Sequence, residues 1–138
     1  MSNTQRSVPQ KTGITPFLSI RKGVEAVEFY KSAFGATELF RIESETHEVV
    51  AQLSVDGAEF WVSDESPKHL NFSPETLGGG TVRMLLTVEN PDAAFARAVS
   101  AGAKVISPVT NQHGWRFGRV VDPYGHHWEI GKPLANGH

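Results

Sequence analysis

The sequence predicts an α+β fold made of two successive βαβββ modules. Two strand–helix units have matching ends: the glycines that close their helices are Gly35 and Gly102, and the strands before those helices end at Ile20 and Val88. The distance along the chain between the two glycines and the distance between the two strand ends differ by a single residue, and each is close to half of the 138-residue chain. Only strand candidates follow each helix. Chance similarity between two amphipathic helices is the alternative, but the matching order, stops and spacing favour an internal duplication.

The first module begins with a predicted strand at 14–20 and a helix at 24–34. Apolar residues recur at helical spacing through that helix, and Gly35 is a typical helix end. Three predicted strands follow, at 37–43, 47–55 and 58–63. Asp56-Gly57 joins the last two as a tight hairpin turn.

The second module repeats this order, with a predicted strand at 82–88 and a helix that begins at Asn90-Pro91. Asn is a favoured N-cap and Pro a favoured first-turn residue. The helix has an apolar face and ends at Gly102. The predicted strands that follow it are 104–107, 117–121 and 126–130.

These elements predict one domain at 13–131, with module one at 13–63, a linker at 64–80 and module two at 81–131. The linker is rich in Ser, Pro and Gly and long enough to form a mobile flap. The polar segment 1–12 and the segment 132–138 are expected to be disordered tails.

Composition excludes several classes of function. A net charge of −2 and a pI near 6.3 offer no broad basic surface for nucleic acid. No apolar run approaches the roughly 20 residues that cross a bilayer, and the polar start lacks a signal peptide's apolar segment. The absence of cysteine excludes disulfides, thiolate catalysis and Cys-bound zinc. We therefore expect a cytoplasmic protein without nucleic-acid or membrane partners.

A hairpin near the end of the chain presents an acidic residue on a strand. Asp122-Pro123-Tyr124-Gly125 has reverse-turn chemistry, since Asp accepts backbone hydrogen bonds, Pro presets φ and Gly closes the turn. In the following strand, Trp128 and Ile130 share one face, and His127 and Glu129 share the other. That second face either is simply solvated or lines a pocket.

The ordered motifs of the chain resemble those of the vicinal-oxygen-chelate superfamily, and within it the PhnB-like branch. The superfamily includes glyoxalase I, extradiol dioxygenases, fosfomycin-resistance proteins and bleomycin-binding proteins. The motifs are VEFYKSAFGA at 27–36, VSDE at 62–65, DAAF at 92–95, FGRV at 117–120 and DPYGHHWE at 122–129. The resemblance covers about 14–130. It implies two curled mixed sheets around a cavity and a homodimer whose sites lie near the subunit interface.

The resemblance also locates a metal site that this chain has lost. Metal enzymes of the superfamily hold a divalent ion with four inward His, Glu or Gln side chains, two from each half. The corresponding positions here are Thr15, Trp61, Arg83 and Glu129, and only Glu129 is of a ligand type. We therefore expect no cofactor, and the alternative is a divalent metal if the alignment near Trp61 is off by one residue.

Four other roles follow for this predicted pocket. Trp61 either forms a stacking wall or packs in the core, and Arg83 either binds ligand or pairs with Glu129. Arg116 is expected to contact an anionic or carbonyl-bearing ligand, with Trp115 and Phe117 packed on the opposite side of the strand. His127 could form a His–Glu base with Glu129, against the alternative of a solvated pair.

The leading functional hypothesis is a PhnB-like or bleomycin-resistance-like protein that binds an aromatic or anionic small molecule in a dimeric cup without a metal. The alternative is a glyoxalase-type lyase or isomerase, or a dioxygenase, with Glu129 as tentative catalytic base or metal ligand. In that enzyme Arg116 or Arg83 would stabilise an oxyanion. A partner-binding scaffold has no positive feature in the sequence beyond the expected dimer surface.

Overall fold

The computed structural model describes residues 8–135, and these residues follow the order βαβββ twice. The first module consists of β1 (Phe17–Ile20), α1 (Gly23–Phe34), β2 (Thr37–Glu43), β3 (Val49–Val55) and β4 (Ala58–Asp64). A 3-10 turn (Pro67–His69) and the short helix α2 (Pro74–Leu77) lie between the modules. The second module consists of β5 (Arg83–Thr87), α3 (Pro91–Ala101), β6 (Lys104–Gln112), β7 (Trp115–Val121) and β8 (His127–Pro133).

Each module forms one four-stranded mixed sheet, in the orders β1-β4-β3-β2 and β5-β8-β7-β6. The β1–β4 and β5–β8 pairs are parallel and the other pairs are antiparallel. Neither sheet closes on itself. The predicted α+β class with two mixed sheets is confirmed. None of the helices in residues 8–135 has the length and apolarity to span a membrane.

Local chemistry places the turns and helix ends where the sequence predicts them. Gly35 ends α1 in the left-handed conformation at φ 70°. Asn90 caps α3 by accepting a hydrogen bond from the backbone N of Ala93 at 3.1 Å. Asp56 and Gly57 have φ values of 50° and 93°, and two consecutive positive values are typical of a type I′ hairpin turn.

Several strand boundaries differ from the prediction, three of them by three residues or more. β1 begins at Phe17 rather than at residue 14, after Pro16, which has no N–H to donate to a neighbouring strand. β6 continues to Gln112, and β8 continues to Pro133 because Trp115 of β7 pairs with it. The last strand thus runs beyond the expected domain end at 131, and residues 1–7 and 136–138 of the expected tails lie outside the described residues.

The two sheets share one hydrophobic core. Helices α1 and α3 pack against each other, and each sheet turns one face toward them. Phe60 of β4 and Trp128 of β8 bring these inner faces together, with ring centroids 5.5 Å apart. Phe34 of α1 approaches the same indole at 4.6 Å. Since both inner faces meet in one core, the outer faces of the two sheets point away from each other.

These outer faces carry much of the exposed apolar surface. We call the outer face of the first sheet the first open face; its members include Phe17, Phe40, Ile42, Gln52 and Trp61. The second open face, on the second sheet, includes Arg83, Leu85, Phe117, Arg119, His127 and Glu129. Phe17, Ile42 and Leu85 are 57%, 58% and 55% exposed.

A buried carboxylate links the two modules. Asp122, at the predicted turn between β7 and β8, accepts hydrogen bonds from the backbone N of Tyr124 and His126, at 2.9 and 3.0 Å. It also accepts from Nε1 of Trp128 at 3.0 Å and from the hydroxyl of Tyr30 in α1. Burial, reinforced by the charge of Asp122, raises the pKa of Tyr30 well above its ordinary value. The phenol therefore remains a donor to Asp122.

Candidate functional site

The first open face carries an aromatic wall built around Trp61. The Phe17 ring stacks on the indole at a centroid distance of 5.7 Å and an angle of 12°. Phe40 meets the same indole edge-on at 5.8 Å. The three rings come from β1, β2 and β4. Phe40 and Trp61 lie on the same face because both pair with Gln52 of β3, which is between them. The structure thus places Trp61 outside the core, on a flat surface suited to stacking against a ring.

On the second open face, Arg83 and Glu129 form an ion pair. Nε of Arg83 donates to Oε2 of Glu129 at 2.9 Å. The pair bridges the parallel strands β5 and β8, where Arg83 lies opposite His127 and Leu85 opposite Glu129. The Arg83 side chain is 56% exposed, whereas that of Glu129 is 20% exposed. Two of the four positions that the resemblance assigns to metal ligands are therefore paired with each other.

His127 bonds to Arg119 and not to the carboxylate that the sequence suggested. Nε of Arg119 donates to Nδ1 of His127 at 3.1 Å, which requires the neutral tautomer with its proton on Nε2. In the described part of the chain, no hydrogen bond joins His127 to Glu129. Burial, followed by the charge of Arg119, lowers the pKa of His127. His127 thus presents an N–H donor, and the His–Glu base, one of the two alternatives for this residue, is not assembled.

We expect the pKa of His127 to lie below 6.5 and to rise in Arg119→Gln. The substitution removes the neighbouring charge but leaves the burial. NMR titration of the His127 ring protons measures both values. Because the folded pKa lies below the unfolded one, the free energy of unfolding should fall as the pH drops from 6.5 through the folded value. An unchanged His127 pKa in Arg119→Gln would contradict the assignment, and Arg116→Gln serves as the control.

Arg116, predicted as a ligand contact, lies on the inner side of its strand instead. Its Nε and Nη2 donate to the two carboxylate oxygens of Asp92, in the first turn of α3, at 2.8 and 2.7 Å. Its Nη1 donates to Asn111 at 3.0 Å. Arg116 is thus occupied at the helix side and does not reach Glu129.

The orientation of β7 follows from Gly118. A Cβ on Gly118 would lie 2.7 Å from the Phe95 ring of α3, so residues 116, 118 and 120 face the helix. By alternation, Phe117 and Arg119 face outward, the reverse of the packing role predicted for Phe117. Sequence reasoning missed Arg119. The available signal was the apolar residue Val120 beside it: Val120 is buried, so its neighbour Arg119 must point to the opposite, outer face.

The former metal positions do not suit a divalent ion. Thr15 precedes β1 and Trp61 lies on the first sheet, whereas Arg83 and Glu129 lie on the second sheet, whose open face points the other way. An indole N–H only donates and a guanidinium is a cation, so neither ligates a metal. Within residues 8–135, no three His, Asp or Glu side chains form a group that could hold an ion.

Two apolar cavities border the edge strands β1 and β5. One of about 580 Å³ lies beside the start of β1 and α2, and its lining includes Thr15, Leu77 and His126. The other, of about 340 Å³, lies between β4 and β5 and includes Arg83. Trp61 and Glu129 line neither cavity. One chain alone therefore does not bring Trp61, Arg83 and Glu129 into a common cavity, because the shared core directs the two open faces apart.

Comparison with known proteins identifies related chains. The model of the Glyoxalase/Bleomycin resistance protein/Dioxygenase superfamily matches residues 20–130. An uncharacterized protein of Mycobacterium bovis is 36% identical over 126 residues, which cover 88% of this chain and 83% of the relative. The crystal structure of an Arabidopsis thaliana gene product is 33% identical, has a TM-score of 0.65 and covers 89% of this chain and 98% of that one. The PhnB protein of Bacillus cereus, at 23% identity, shares the fold with a TM-score of 0.66 and covers 90% of this chain and 100% of that one.

Proposed function

The chain belongs to the glyoxalase/bleomycin resistance protein/dioxygenase superfamily, and from this premise we propose that it binds a small molecule without a metal, in the manner of PhnB-like and bleomycin-resistance proteins. The binding site is a cup between two copies of the chain. The first open face of one copy covers the second open face of its partner. The lack of cysteine suits a reducing compartment, and the protein acts in the cytoplasm.

The observation that carries this proposal is the pair of open faces. Each face bears half of a binding site: an aromatic wall around Trp61 on one sheet, and the ionic cluster of Arg83, Arg119 and Glu129 on the other. Each also exposes large apolar side chains, and such surfaces mark sites of interaction. Pairing unlike faces covers both and brings the aromatic wall opposite the cluster.

The same contacts favour binding over catalysis. Oε2 of Glu129 accepts from Arg83, and Nδ1 of His127 accepts from Arg119. A general base needs a free acceptor within reach of the substrate proton. The one acceptor nitrogen of His127 is already engaged, and Arg83 holds one of the two carboxylate oxygens of Glu129, which leaves Oε1 of Glu129 as the one unengaged acceptor of this pair of side chains.

We expect the protein to be a dimer that binds the neutral aromatic probe 2-naphthamide. Trp61→Ala should weaken this binding by about 5- to 150-fold, because base–aromatic stacking and similar ring contacts contribute on the order of 1–3 kcal/mol each. Leu85→Asp should produce a folded monomer that binds no probe, since Leu85 is 55% exposed in a single chain. Calorimetry gives the affinities, and light scattering after gel filtration gives the oligomeric state.

Leu77→Asp is the matched control, because Leu77 is 64% exposed but lines the 580 Å³ cavity beside α2. It should leave both dimer and binding unchanged. Binding that survives in Trp61→Ala but is lost in Leu77→Asp would place the ligand in that cavity and overturn the proposal. A wild-type protein that binds the probe as a monomer would also overturn it.

A further inference from the structure

Two arginines on the second open face keep most of their donors unused. Arg83 donates from Nε to Glu129 at 2.9 Å, and Arg119 donates from Nε to His127 at 3.1 Å. Among residues 8–135, no hydrogen bond engages the Nη atoms of either side chain. A guanidinium presents its N–H groups as a rigid planar fork that matches a carboxylate. Each arginine is therefore fixed at one atom and has the donors on both Nη atoms left.

A third arginine shows that such spare donors are not general in this protein. Arg116 lies on the same strand as Arg119, three residues earlier. An odd spacing puts the two side chains on opposite faces of the strand, and Arg116 faces the helix. All of its nitrogens are bonded, two to Asp92 and one to Asn111, at distances between 2.7 and 3.0 Å. Where an arginine of β7 has a structural role, its partners are thus supplied within the chain.

The charges on the second open face do not balance. Its cations are Arg83, Arg119 and Lys104, the last opposite Val121 at the outer strand. Strand alternation places one carboxylate, Glu129, on this face of β5–β8–β7–β6 within the described residues. His127 accepts from Arg119 and so adds no charge. The face is therefore positive, and a bound group of negative charge would complete it.

Apolar side chains surround this positive centre. Leu85 lies directly opposite Glu129 on the neighbouring strand, and Phe117 shares the outward face of β7 with Arg119 at a spacing of two. Charge-assisted hydrogen bonds strengthen where water is excluded, and a carboxylate held by an arginine fork gains both charge and geometry. An ionised acid attached to an apolar body fits this arrangement better than a neutral compound does.

We infer that the ligand of the cup is an aromatic carboxylic acid whose ionised carboxylate is held by the free Nη donors of Arg119 and Arg83. The inference rests on the proposed function, which supplies the partner's aromatic wall for the ring. Arg119 selects the charge of the ligand, and Trp61 selects its shape. No covalent step is involved.

The test compares two probes of equal shape, 2-naphthoate and the neutral 2-naphthamide, by calorimetry at pH 8. The wild-type dimer should bind naphthoate at least about tenfold more tightly, which corresponds to about 1.4 kcal/mol. Arg119→Gln should lose this preference, because its affinity for naphthoate should fall by more than its affinity for naphthamide. The double variant Arg83→Gln/Glu129→Gln, which removes the ion pair without leaving one charge behind, should reduce the preference as well. Arg116→Gln should keep it.

The outcomes separate this inference from the function on which it rests. Equal affinity of the wild type for both probes would overturn the inference and leave the aromatic cup standing. A preference for naphthoate that survives in Arg119→Gln and in the double variant would also overturn it. Failure of the dimer to bind either probe would remove both the inference and the proposed function.

Discussion

Asp122→Ala is expected to lower the free energy of unfolding by about 3–5 kcal/mol, the largest loss that we predict for a single side chain. The Asp122 carboxylate is 3% exposed and accepts from Tyr30, from Trp128 and from two backbone N–H groups. Alanine leaves four donors without a partner, three of them buried and that of His126 partly buried, and each buried donor costs about 1–3 kcal/mol before relaxation. The four losses overlap, so their sum is not additive.

Urea denaturation at pH 7 measures this loss, with Asp92→Ala as the control. Asp92 is an exposed carboxylate in a surface ion pair with Arg116, and pairs of that kind contribute little. Tyr30→Phe tests the link between modules, because it should destabilise the wild type but add little to Asp122→Ala. Equal losses in Asp122→Ala and Asp92→Ala would show that the buried carboxylate does not hold the modules together.

Gly131→Ala is expected to cost about 3 kcal/mol, because the new methyl group would push against main chain. Its Cβ would lie 2.6 Å from the carbonyl oxygen of Arg116 and would also meet Phe117 on β7. Side chains can rotate away from a clash, but here the two strands must separate. Backbone shifts of this kind typically cost about 1–3 kcal/mol. Since Gly131 follows Glu129 at the next outward position of the second open face, the variant should also weaken ligand binding.

Gly80→Ala is the control for this substitution, since a Cβ there meets no atom within 4 Å. It should be neutral or slightly stabilising, because alanine reduces the conformational freedom of the unfolded chain. Parallel urea curves for the two variants give the comparison. A Gly131→Ala protein as stable as Gly80→Ala would mean that β7 and β8 are not held as closely as described.

Local chemistry explains which parts of the fold the sequence predicts. The hairpin turn at Asp56, the cap at Asn90 and the turn at Asp122 depend on neighbouring residues, and all three are present as predicted. The ion pair between Arg83 and Glu129 is one of the two alternatives that the sequence left open for Arg83, since the resemblance assigns both residues to ligand positions on adjoining strands.

The parts that the sequence does not predict depend on distant contacts. The outward turn of Arg119, rather than of Arg116, is set by the Phe95 ring above Gly118. That ring belongs to α3, which the whole of β6 separates from β7 along the chain. The direction of the two open faces depends on Phe60 meeting Trp128 across the shared core. Neither contact leaves a periodic signal in the strand that it orients.

Two unlike open faces on one chain also determine how copies of the chain can join. A contact between the first face of one copy and the second face of another joins unlike surfaces, and such contacts either close into a ring or continue as an open filament. In the proposed dimer, closure after two copies leaves no face uncovered and yields two identical sites. Any tilt of the sheets that prevents closure would leave an aromatic wall at one end of the growing chain. The shared core that sets the angle between the sheets is therefore also what decides between a finite particle and a polymer.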